Sequence, residues 1–208
     1  MRPARVRDYP AAMTRSDTGT LALRGSLLRQ TRRGIGMTLA SCLYWLGLAA
    51  AVAWAGLSPG ALVAFFLVAT LVVYPLGWAL NRACRGDLLA RGHPLAPLVR
   101  VLGLTQALGW PTLGLIVVQA PWLLAFALAA LLGTHFLPYA WLYRSPSYAL
   151  LGTGSVLLAA LLQWRWPAQA NLAIPLAMAA CYALATLGVA GENRRDARAG
   201  WPHSAPPC

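Results

Sequence analysis

Three observations predict an all-α, polytopic membrane protein with six transmembrane helices in three hairpins and both termini in the cytoplasm. The 208-residue chain is 59% hydrophobic and only 11% charged, with a mean hydropathy of +0.58; a soluble domain carries about 25% charged residues. Its apolar residues gather into six runs, each long enough to cross a hydrocarbon core of about 30 Å as a helix. Its basic residues avoid those runs and cluster beside alternate ends of them, the pattern that sets orientation in a membrane.

Taken in order, residues 1–33 carry eight Arg and two Asp with Pro and Thr interspersed. They read as a cytoplasmic Arg-rich segment, disordered over most of its length. LALRGSLLRQTRR (21–33) could lie on the membrane surface, but its Leu and Arg residues overlap on a helical wheel instead of separating. Residues 34–191 form the transmembrane domain, with spans expected near 35–56, 60–80, 98–119, 122–143, 148–164 and 168–190. GLSPG (56–60), QAP (119–121) and WRWPA (164–168) are the turns of the three hairpins; NRACRGDLLARGHPLAP (81–97) and RSPS (144–147) join the hairpins to one another. Residues 192–208 read as a cytoplasmic tail. TRRGIG (31–36), AVAWA (51–55) and LASC (39–42) each touch an export-signal pattern. The long polar leader and the full-length apolar run after Cys42 favour an uncleaved first helix.

Every basic residue is Arg, and sixteen of the seventeen fall on one predicted side, leaving Arg165 alone on the other. The positive-inside rule then places both termini in the cytoplasm of a bacterial inner membrane. Trp110, Trp122, Trp164 and Trp166 fall near the predicted outer ends, and Tyr143 and Tyr148 near the inner ends. The net charge of +12 is therefore an orientation signal and implies no nucleic-acid partner; the expected partner is the lipid bilayer, with a homo-oligomer or a membrane complex possible. Cys42 and Cys181 fall within spans, Cys84 in a loop and Cys208 at the end, with no C-x-x-C spacing. Neither a metal nor a cofactor is expected.

Ionisable residues inside a membrane are costly and mark sites, and this chain holds very few. No Asp or Glu lies within a span: Asp87 is in a loop and Glu192 follows the last run. Ion-coupled transport and metal chemistry lose ground accordingly, and no catalytic residue is assigned. GTGS (152–155) lacks the order of an intramembrane serine protease, and RGD (85–87) lies in a predicted cytoplasmic loop, where no adhesion role follows.

His135 remains. It shares a helical face with Tyr139, four residues on. Pro138 removes an N–H three residues later, so a kink is expected there, with others at Pro75 and Pro111. Two readings stay open: a structural histidine bonded to a neighbouring helix, or a ligand site at a kink. Gln106 lies fourteen residues before the Ala120–Pro121 turn and His135 fourteen after it, about 21 Å along each helix. Cys42, Tyr74, Thr153 and Tyr182 fall at similar depth. Gln106, His135, Tyr139, Tyr74, Thr153 and Tyr182 are thus the candidate ligand-binding residues, with a His135–Gln106 hydrogen bond, direct or through one water, expected at their centre. In DLLARGHPLAP (87–97), a short interfacial helix ending before Pro94 and a solvated His93 are expected.

His93-Pro94-Leu95, Gln106, and then His135, Phe136, Pro138, Tyr139, Trp141 and Tyr143 over roughly residues 60–155 resemble an uncharacterised family of small bacterial membrane proteins. That family's pattern has an Asn-Pro-Leu-type start, a Gln in the third span and a Gly-Ala-His-Phe-x-Pro-Tyr-x-Trp-x-Tyr run. This chain departs from it at His93 and Thr134. The resemblance implies a six-span bundle and no known activity. The sequence thus points first to small-molecule binding or transport through a polar pocket around His135. An accessory or structural subunit of a membrane complex is the alternative, and a membrane-embedded enzyme comes third.

Overall fold

A computed structural model describes residues 15–199, and among these every regular element is helical. Six helices are long and apolar enough to cross a membrane: Gly19–Trp54, Pro59–Ala83, Ala96–Gln119, Pro121–Leu142, Pro146–Arg165 and Pro167–Arg198. The chain is an integral, multi-pass membrane protein by that criterion.

The span starts follow from local chemistry. Ser58 caps α3 (Pro59–Ala83), its Oγ accepting from the Ala61 N–H at 3.3 Å, and Ser145 caps α8 (Pro146–Arg165), accepting from the Tyr148 N–H at 3.3 Å. A hydroxyl there satisfies an N–H that has no partner within the helix, and a proline at the first helical position has no N–H to lose. Pro121 and Pro167 likewise open short 3-10 turns leading into α6 (Leu124–Thr134) and α9 (Ala170–Arg198).

Two spans are interrupted. The third consists of α4 (Ala96–Leu104), a 3-10 stretch over Thr105–Gly109, and α5 (Trp110–Gln119), with Pro111 in the first turn of α5. The fourth consists of α6 and α7 (Phe136–Leu142), which meet at His135, three residues before Pro138. Pro75, in contrast, sits inside α3 without breaking it, since neighbouring groups can absorb a missing helix bond within a packed bundle.

α2 (Ile35–Trp54) is the centre of the bundle, packed along α9 on one side and α3 on the other; α8 packs on α9, and α6 and α7 on α8. The third span packs chiefly on α6 and is the least buried of the six. Trp45, Leu48, Leu128, Ile174 and Met178 form the fully buried interior. Where α2 crosses α3, a Cβ on Gly36 would collide with the Asn81 backbone. Small residues permit such close approach where lipid supplies no hydrophobic drive between helices.

α1 (Arg15–Thr31) takes in most of the stretch 21–33 read as a possible surface helix and starts six residues earlier. It lies across one end of the bundle, with Leu27 and Leu28 buried and Gln30 Nε2 donating to the Arg91 carbonyl at 2.8 Å. Arg32, Arg33 and Gly34 all have positive φ and reverse the chain into α2. Residues 1–14 and Cys208 lie outside the described residues. The last helix also runs past the expected boundary near 190 to Arg198, because GENRRDAR contains no proline and its acidic residues pack against Arg33.

The loop before α4 is a chain of turns where an interfacial helix was expected, with positive φ at Arg85, Ala90 and Gly92. His93 is not freely solvated: Nδ1 accepts from the Leu95 N–H at 3.1 Å and Nε2 contacts Ser26 Oγ at 2.8 Å. Partial burial lowers its pKa from the ordinary value, against an opposing backbone hydrogen bond at Leu23. Docking of α1 onto the loop is the interaction that the local pattern could not show.

Candidate functional site

The break in the fourth span gathers most of the polar side chains at that depth. Pro138 has no N–H for the Thr134 carbonyl one turn back, and just before the break at His135 the Leu131 and Leu132 carbonyls gain side-chain donors. Side chains from two other spans supply them. Gln106, in the 3-10 stretch of the third span, donates from Nε2 to the Leu131 carbonyl at 3.2 Å, and Tyr182 of α9 donates to the Leu132 carbonyl at 3.2 Å. Leu132 also accepts from His135 Nδ1 at 2.8 Å. Tyr139, one turn on, donates to the Val99 carbonyl of α4 at 3.0 Å and meets the His135 ring edge-on, centroids 5.8 Å apart.

The expected His135–Gln106 hydrogen bond is absent as a direct contact. Depth matching put the two residues at the right height but could not set their azimuth. Gln106 reaches a carbonyl one turn before the histidine instead. The histidine's own partner fixes its tautomer. A carbonyl only accepts, so Nδ1 must carry the proton, and in a neutral ring Nε2 is then an acceptor. Among the described residues Nε2 has no hydrogen-bond partner.

The remaining candidates separate. Tyr182 is fully buried against Phe136, with ring centroids 5.6 Å apart. Cys42 is buried with Sγ 3.4 Å from the Ala179 carbonyl. Tyr74 is exposed on α3. Thr153 does not join the group: it is exposed on α8 and returns its hydroxyl to the Ala149 carbonyl at 2.8 Å. α3 and the third span do not pack against one another along their lengths. Among the described residues no three His, Cys, Asp or Glu side chains come together to hold a metal ion.

A second constellation, at the end of the bundle, escaped the sequence reading. Arg33 is 4% exposed and donates to the Tyr143 carbonyl at 3.2 Å, to Asn193 Oδ1 at 2.8 Å and to Asp196 Oδ2 at 2.5 Å. Its Nε lies 3.4 Å from Glu192 Oε2. Glu192 Oε1 in turn accepts from Ser147 Oγ at 2.6 Å, and Tyr148 donates to the Arg33 carbonyl. This network ties the turn between α1 and α2 to the end of the fourth span, α8 and α9. One signal was available: Glu192 and Asp196 stand four apart on one helical face, in a chain with five acidic residues in all.

The chain belongs to a family described as a family of unknown function (DUF7010), whose pattern matches residues 21–192. No curated protein and no solved structure matches it.

Proposed function

We propose that this member of the family is a small-molecule binding or transport protein of a bacterial inner membrane, acting through the interrupted fourth span around His135. One observation carries the reading: a histidine at a helix break with Nδ1 committed to the Leu132 carbonyl and Nε2 left as an unmatched acceptor. A ligand with an N–H or O–H donor would complete it. Gln106 and Tyr182 bond the Leu131 and Leu132 carbonyls, Tyr139 borders the ring, and Tyr74 is exposed on α3. An enzyme would need a second reactive group close to the ring, and the Nδ1 partner is a backbone carbonyl, so nothing favours that reading.

Native mass spectrometry of the purified protein against a panel of small amines, alcohols and amides tests the reading. Adducts on the wild type that vanish in His135→Leu, with the fold retained, support it; adducts equal in both would refute it.

The alternative, an accessory subunit of a complex or homo-oligomer, draws on the exposed third-span face with Leu104, Leu108, Leu115 and Val118. It predicts a defined larger assembly in place of ligand adducts. For orientation, both termini are proposed to be cytoplasmic on the sixteen-to-one Arg distribution. In intact cells the exposed Cys84 should then resist a membrane-impermeant thiol reagent, whereas Ser58→Cys should label. Labelling of Cys84 from outside would reverse the assignment.

A further inference from the structure

A cavity of about 370 Å³ opens at the end of α3, lined by Trp78, Arg82, Arg85, Gly86, Asp87 and Arg91. Three arginines and one carboxylate residue line it, and that carboxylate already accepts hydrogen bonds from its own surroundings. Asp87 Oδ1 accepts from the Leu89 N–H at 3.2 Å; Oδ2 accepts from the Arg91 N–H at 2.8 Å and from Gln30 Nε2 at 3.4 Å. Among the described residues none of the three arginines has an ion-pair partner. Arg82 lies over the Trp78 ring, 5.7 Å from its centroid.

Arg82 stands in the last turn of α3, and the loop that carries Arg85 and Arg91 is fixed. Asn81 is fully buried: its Oδ1 accepts from the Gly36 N–H at 3.2 Å, its Nδ2 donates to the Thr31 carbonyl at 3.1 Å, and its own carbonyl accepts from the Gly86 N–H at 2.9 Å. Arg85 is held at φ 58, between Asn81 and Gly86. The Asp87 N–H donates to the Gln30 carbonyl at 2.8 Å. Three arginines against one carboxylate leave the cavity net positive, which fits an anion with several oxygens, because guanidinium pairs with phosphate through parallel N–H bonds. The site sits where a membrane span ends, beside an exposed tryptophan, at the level of lipid head groups.

We propose that this cavity binds the phosphate of an anionic phospholipid, with Arg82, Arg85 and Arg91 as its ligands and Trp78 against the glycerol edge. Basic pockets at the ends of membrane helices recognise anionic head groups in this way, and each Arg near the surface contributes about fivefold in affinity. The site is separate from the His135 cleft and does not depend on it.

The test is native mass spectrometry of the full chain in detergent with phosphatidylglycerol, phosphatidylcholine or inorganic phosphate. Wild type should hold phosphatidylglycerol over phosphatidylcholine, and Arg82→Gln, Arg85→Gln and Arg91→Gln together should weaken it by about a hundredfold. Arg165→Gln removes another Arg–Trp pair, with the guanidinium 5.6 Å from the Trp166 centroid, at the opposite face, and should leave binding unchanged. If the triple variant does not fold, Arg85→Gln alone should cost about fivefold. Equal binding by wild type and folded variant, or an equal loss in Arg165→Gln, would overturn the proposal. Phosphate adducts without a phosphatidylglycerol adduct would overturn the lipid assignment.

Discussion

Replacing Arg33 by Met should strip the bundle end of its central donor while keeping a long, flexible side chain. In the native protein the guanidinium contacts both Asp196 Oδ2 at 2.5 Å and Glu192 Oε2 at 3.4 Å, and their side chains are 26% and 11% exposed. Breaking a buried ion pair from one side costs about 3–5 kcal/mol, because the remaining charge keeps its desolvation penalty. Asp196 retains some water, so about 3 kcal/mol is expected, at the low end of that range. For a domain of this size that lowers the melting midpoint by roughly 6–12 °C, measurable by the loss of helical circular dichroism in detergent. The triple variant Arg33→Met, Glu192→Gln, Asp196→Asn removes the orphaned charges as well and should recover more than about 1 kcal/mol. Both Met-bearing variants keep a non-glycine residue at φ 53, so backbone strain cancels between them. A single variant that melts within a degree or two of wild type would refute the reasoning, as would a triple variant no more stable than the single one.

Two further predictions concern the ends and the crossings of helices. Because the folded pKa of His93 is lowered from its ordinary value of 6.5, the unfolded state takes up protons first as pH falls. Its contribution is therefore complete above about 6.5 and is lost as pH drops through the folded value. The melting midpoint should fall between pH 7.5 and 5.5, and His93→Asn should flatten that slope; an unchanged slope would remove the assigned burial. Gly36→Ala should cost about 1–3 kcal/mol by overpacking against the Asn81 backbone, while Gly47→Ala, with open space around it, should be neutral or slightly stabilising. Equal thermal melts for the two alanine variants would show that the crossing of α2 and α3 is looser than described.

The spans were legible because each is an apolar run closed by proline, serine or arginine, and those signals act within a few residues of the helix they bound. Ser58 and Ser145 illustrate this: each caps a helix that begins with the very next residue. What was hidden depends on partners far apart in the chain. Arg33 and Asp196 are separated by 163 positions, so nothing near either residue announces the pair, and α1 looked like a solvated basic segment. The site was half legible for a similar reason. Position along a helix gave the shared depth of Gln106, His135 and Tyr182, but azimuth decides contact, and the Leu131 and Leu132 carbonyls before the break took the donors instead. Thr153 matched in depth and nevertheless faces outward.

The most direct measurement of the proposed cleft is the solvent it contains. Cys42, Cys84, Cys181 and Cys208 are first replaced by Ser or Ala, and His135→Cys is added, with Leu150→Cys on an exposed face of α8 as the control. In reconstituted vesicles the thiol at position 135 should react with a small hydrophilic thiol reagent, whereas the one at 150 should react only with a reagent dissolved in the lipid. Reaction at 135 confined to the lipid-phase reagent, or no reaction with either, would contradict a ligand cleft at the break in the fourth span.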